Sequence, residues 1–178
     1  MTTQSIQNLE ANSLELYSLA FLLTGNAHRS LQVFNRVLDH DDEETALLGN
    51  IAIDRKRIIV EALAAMEMEL EASRQRMAGP PADERVVSLP WKCRPRITRA
   101  EFEEAVLAID AFPRWAMLLT IFEGMSLRTA AIWLNADRTL MQAAQRIGIV
   151  QLTDNLSRAI SSPFFRPAQN RASVPSFN

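Results

Sequence analysis

The side chains with most to offer chemically are cations and amides grouped at two places. Arg138, Thr139, Gln142, Gln145 and Arg146 lie close together, and Arg55, Lys56 and Arg57 are consecutive. Arginine and lysine neutralise phosphates, and arginine, glutamine and threonine also reach base edges, so both groups suit a nucleic acid. Each is a thin set for such a ligand, because phosphate neutralisation supplies much of the affinity. For Arg55–Arg57 the competing reading is ordinary surface charge with helical pairing, for example Arg57 with Glu61.

Other reactive residue types form no constellation. His40, Asp41, Asp42, Glu43 and Glu44 are consecutive and so point in different directions on a helix. A solvated helix start explains the acids through the dipole. His28 has no second His or Cys at ligand spacing. Cys93 sits between Lys92 and Arg94 without a partner base, which makes it an incidental thiol. Glu61, Glu67, Glu69 and Glu71 read as a solvated face. No glycine-rich phosphate loop is present. The expectation is a non-enzyme with no metal, no cofactor and no small-molecule substrate.

The elements that position the second group are legible from Phe122 to Leu156. Ser126 is an N-cap for a short helix whose Leu127, Ala130, Ala131 and Leu134 share a face. Asn135-Ala136-Asp137 makes a turn, with Asp137 capping a longer helix. Short helix, three-residue turn, longer helix is the helix-turn-helix order that presents a recognition helix to a DNA groove.

Across the whole 178 residues, 48% are apolar and only five are glycine. With long Ala/Leu/Glu/Arg/Gln segments, this predicts an all-α chain. Two amphipathic helices span 13–38, broken at Thr24-Gly25-Asn26, with Leu14, Tyr17, Leu19, Ala20, Leu23, then Leu31, Phe34, Val37 and Leu38 inward. A stripe through Leu47, Leu48, Ile51, Ile58, Ile59, Leu63, Met66 and Leu70 predicts one long helix or two up to Met77. Gly79-Pro80-Pro81 ends it. The expected layout is two small helical domains joined by a Pro-containing linker. They are a first domain over 1–78, the linker over 79–97, and a helix-turn-helix domain over 98–160 that opens on a Thr98/Glu101 capping box. A mobile tail over 161–178 follows. No run is apolar enough to span a bilayer and no signal peptide is evident, so the expectation is a cytoplasmic protein.

Charge is uneven. Residues 1–78 hold 7 basic and 12 acidic side chains, and 98–160 hold 6 and 7, so neither helical block is basic. A free-standing DNA binder would be disfavoured by that balance; a subunit of a larger basic machine would not.

YSLAFLLTGNAHRSLQVFNRVL, LLGNIAIDRKR and IDAFPRWAMLLTIFEGMSLRTAAIWL together resemble the extracytoplasmic-function group of bacterial sigma factors, of which this chain would be a diverged member. The third patch matches through Arg114, Glu123-Gly124, Ser126, Ala131 and Leu134 without a gap. The resemblance implies RNA polymerase core and promoter DNA as partners, with an anti-sigma-like protein possible. It places Arg55–Arg57 near DNA-contacting surface and Arg138–Ala159 at an upstream promoter element. The departures are specific. The acids usual after the L-T-G turn are replaced by Arg29, Leu31, Gln32, Asn35 and Arg36, and the recognition helix reads Leu140-Met141-Gln142-Ala143-Ala144, then Ile147, where cations are common.

Leu140, Ala143, Ala144, Ile147 and Val150 make a second apolar stripe beside the inward one of Met141, Gly148, Leu152 and Leu156. If exposed, that stripe would bind a protein; buried on two sides, it would be core. Trp91 is a further candidate anchor. Two functional expectations stand side by side: a sigma-factor-like initiation protein, or a sigma-shaped interaction module without DNA-binding or initiation activity of its own.

Overall fold

The computed structural model describes residues 3–39, 51–77 and 97–161, and every regular element among them is helical. The order is α1 (Thr3–Thr24), α2 (Ala27–Asp39), α3 (Ile51–Met77), α4 (Arg99–Leu107), α5 (Ala111–Met117), α6 (Leu127–Trp133) and α7 (Arg138–Ser161). A π-helical turn, Leu118–Phe122, extends α5. Trp91, Cys93, His40–Glu44, Leu47, Leu48 and most of the expected linker and tail lie outside the described residues.

The break between α1 and α2 is built by polar side chains. Gly25 adopts φ +68°, a region that costs any residue with a Cβ. The Asn26 side-chain oxygen then accepts from the backbone N–H of His28 (2.9 Å) and Arg29 (3.1 Å), which caps α2. Thr24 and Ser30 hydroxyls, both buried, meet at 2.9 Å beneath the turn.

α1, α2 and α3 pack on one another, and α7 packs along α5 with α4 and α6 beside it. The inward residues differ in part from the periodicity. Leu16 and Val33 are buried, whereas Leu14 and Leu31 are exposed. Ile51–Met77 is a single helix whose Ile58, Ile59, Ala62, Met66 and Leu70 enter the core. α5 is buried nearly throughout, from Phe112 to Met117. Its Trp115 lies among side chains of both helical sets, so one continuous core runs from Leu16 to Ala144.

α7 crosses α5 at very short range. A Cβ at Gly148 would stand 2.7 Å from the Pro113 carbonyl oxygen and 3.0 Å from Met117 Cβ. Glycine is therefore what lets α7 lie flat on the buried helix.

Candidate nucleic-acid interface and the seam beside it

The capping signals around α6 and α7 place both helices. Ser126 Oγ accepts from Thr129 N–H at 3.1 Å, and Asp137 Oδ1 accepts from Leu140 N–H at 2.8 Å. Between them α6 ends in a Schellman motif. Asn135, at φ +46°, lets its own N–H bond to Ile132 O (3.3 Å) and that of Ala136 to Ala131 O (2.9 Å). Asparagine tolerates this left-handed conformation better than other residues with a Cβ. Ala130, Ala131 and Leu134 are buried as their spacing predicts.

On α7 the helical period separates the residues into three strips. Met141, Ala144 and Gly148 are buried against the rest of the chain, with Leu152 partly buried beside them. Arg138, Thr139, Gln142 and Arg146 are exposed and fall within about 100° of one another around the axis at 100° per residue. Gln145 stands at the edge of that face, half-buried, and donates to the Thr120 hydroxyl at 2.9 Å. It is thereby committed to the body of the protein.

The second apolar stripe divides. Ala144 is fully buried and Leu140 is partly buried against the core, so neither belongs to an open surface. Ala143, Ile147 and Val150 remain as a narrow flank, with Ile147 and Val150 each 38% exposed. Of the five residues in the expected stripe, Leu140 and Ala144 are therefore taken up by the core and three lie toward the surface. Sequence periodicity alone could not show how far around α7 the core extends.

An open groove of about 780 Å³ lies at the α6–α7 turn, lined by Arg128, Ile132, Asn135, Asp137 and Arg138 among others. Arg128, which the sequence reading passed over, is exposed and lines it together with Arg138. Its position in the first turn after the Ser126 cap was the available signal.

The Arg55–Arg57 group is split as well. Lys56 is exposed and Arg57 half-buried. Arg55 turns into the seam between α3 and the α5–α6 connection, where Nε donates to Glu123 Oε2 at 2.9 Å and Nη2 to Glu123 Oε1, a two-pronged pair. Nη1 takes Glu15 of α1. The hydrogen bond to Glu123 holds the guanidinium above its ordinary pKa despite partial burial. Glu61 lies 3.7 Å from Arg36 of α2.

Deeper in the seam, α1 ends on α5. The Leu23 carbonyl accepts from Trp115 Nε1 at 2.9 Å and from Arg114 Nη2 at 3.4 Å. Arg114 also donates to the carbonyls of Leu107 and Ile109, at 3.2 and 3.3 Å. This buried cation is met by carbonyl oxygens at the C-terminal ends of α1 and α4, where the helix dipole favours positive charge. Burial pulls its pKa down from the usual arginine value. The Ser73 hydroxyl accepts from Phe112 N–H at 2.9 Å, and Arg76 pairs with Asp110 at 2.7 Å.

Among the described residues no three His, Cys, Asp or Glu side chains are grouped to hold a metal, and no helix is long and apolar enough to cross a membrane. No protein-family model matches the chain, and no curated protein matches it. Among solved structures it is similar to the sigma factor RpoE of Bartonella quintana, in complex with the anti-sigma factor NepR. The TM-score is 0.49 and the identity 15%, over 88% of this chain and 98% of that chain.

Proposed function

We propose that this chain is a sigma-factor-like regulator of bacterial transcription initiation, acting in the cytoplasm with RNA polymerase core and promoter DNA as partners. The observation that carries the reading is the exposed strip Arg138, Thr139, Gln142 and Arg146, presented by a capped short helix, tight turn and long helix. Those side chains match phosphate and base-edge contacts, and the groove-entering helix of a helix-turn-helix carries its contacts near its N-terminus. The gapless likeness from Ile109 to Leu134 adds the family, and α1–α3 would form the polymerase-binding domain. Full-length protein mixed with bacterial core polymerase should co-elute on size exclusion. Absence of association at micromolar concentration would remove this reading.

A second reading has its own support. Arg55 is engaged by two carboxylates, and Ala143, Ile147 and Val150 leave an apolar flank on α7. Both fit a sigma-shaped module that binds an anti-sigma-like protein and grips DNA weakly. The two readings part in a salt titration. Ordinary sigma-type binding through several phosphates loses affinity steeply, whereas the cations of this α7 support a slope worth roughly two or three phosphates.

A further inference from the structure

Contacts across the seam are rich in arginine. Arg55 meets Glu123 at one end of α3, while Arg74 donates to the Asn135 carbonyl and Arg76 pairs with Asp110 at the other. The two ends are about 31 Å apart at the helical rise. These polar contacts rim the apolar core that the two helical sets share.

Of the three, Arg55 is the one gripped by carboxylates of two other elements. Its fork grips both oxygens of Glu123, whose side chain is only 8% exposed, and its remaining nitrogen is on Glu15. Glu123 is placed by backbone structure, since its own N–H closes the π-helical turn onto Leu118 O at 3.0 Å. A planar guanidinium binds carboxylate and phosphate through the same two-pronged geometry. Arg55 nevertheless lies at the rim, with a quarter of its side chain exposed, so its release does not require Trp115 to leave the core.

We propose that Glu123 is a built-in stand-in for a nucleic-acid phosphate, occupying Arg55 until a polyanion displaces it, so that Arg55 is a masked phosphate contact. The proposal rests on the transcription reading only for the identity of the anion. Lys56, the next residue, is exposed and points about 100° further round α3.

The test uses the full chain and a short duplex of arbitrary sequence at about 50 mM salt. Glu123→Gln should tighten binding roughly tenfold and steepen the slope of log affinity against log salt by about 0.9, the worth of one phosphate contact. Arg55→Ala added to Glu123→Gln should erase both changes, and Glu104→Gln, which removes an exposed acid elsewhere, should produce neither. Glu123→Asp keeps the charge but shortens the reach; it should give a smaller gain in the same direction, and it serves if Glu123→Gln does not fold. A gain that survives Arg55→Ala would overturn the proposal. So would an unchanged affinity in both Glu123 variants. If wild-type binding is lost in Arg138→Ala/Arg146→Ala while the Glu123 variants show no gain, the mask falls and the functional reading stands. If no variant binds duplex at this salt, the mask falls, and co-elution with core polymerase decides the functional reading separately.

Discussion

Arg55 and Arg138 each stand near the start of a long helix, and the fold uses them in opposite ways. Arg138 is exposed at the α6–α7 groove. Arg55 is held by Glu15 and Glu123, carboxylates from α1 and from beyond the π-helical turn. The difference is one of neighbours brought from far along the chain, since Arg55 and Glu123 are 68 residues apart. A cation on a free helix face is available to a ligand. The same cation on a seam is first a structural contact, and becomes available only in competition with its acid. Arg114 goes further: a buried cation with carbonyl partners, it joins helix ends and offers nothing to solvent.

That contrast can be broken from the seam outward. Trp115→Ala removes the largest side chain of the shared core together with its bond to Leu23 O. It should cost about 3–5 kcal/mol, read from the denaturant midpoint. A loss under about 1 kcal/mol would show that the two helical sets are stable without their junction. Gly148→Ala drives a methyl into the Pro113 carbonyl and should cost about 1–3 kcal/mol by overpacking. Because α7 must lift from α5 to accept it, duplex binding should weaken as well. Thr98→Ala tests the start of the second set. Its hydroxyl accepts from Glu101 N–H at 3.3 Å while Glu101 Oε2 accepts from Thr98 N–H at 2.7 Å, a complete capping box. About 1 kcal/mol should be lost in a thermal melt, and no change would mean that α4 begins elsewhere.

The seam also has an acid limb. Burial pushes the Asp110 carboxyl up, but hydrogen bonds from Arg76, Ser73 and the Ala111 N–H outweigh it and hold the pKa below the ordinary aspartate value. A depressed carboxylate contributes stability that is fully present above its unfolded pKa and is lost as pH falls through the folded one. Stability should therefore drop on acidification below about pH 4, by less in Asp110→Asn than in wild type. An equal drop in both would remove Asp110 from the acid transition. The smallest effect is expected at Ile147→Lys. A side chain 38% exposed can turn its ammonium to water, so stability should change by less than about 1 kcal/mol. Duplex affinity should rise if α7 faces DNA, and association with a protein partner should weaken if the flank is a docking face. Unfolding would place Ile147 in the core.

Local chemistry made the second half of the molecule legible from its residues. The caps at Thr98, Ser126 and Asp137, the turn at Asn135 and the buried face of α6 depend on groups within a few positions of one another. Amino-acid types alone therefore determined them, and the all-helical class with them. The L-T-G-N break between α1 and α2 was readable for the same reason, although its Asn26 cap went unread. Contacts between distant elements were not readable. Periodicity marks a stripe on α7 as apolar but not how many degrees of it α5 covers, which is why Ala144 joined the core and Ile147 did not. Leu14 and Leu16 are both leucine two residues apart, and only the packing of α1 on the other helices decides which is buried. The fate of Arg55 belongs to this second class. Its charge is written in the chain, but Glu123 reaches it only once α3 and the end of the π-helical turn have been packed side by side, and that placement is a sum over the whole core.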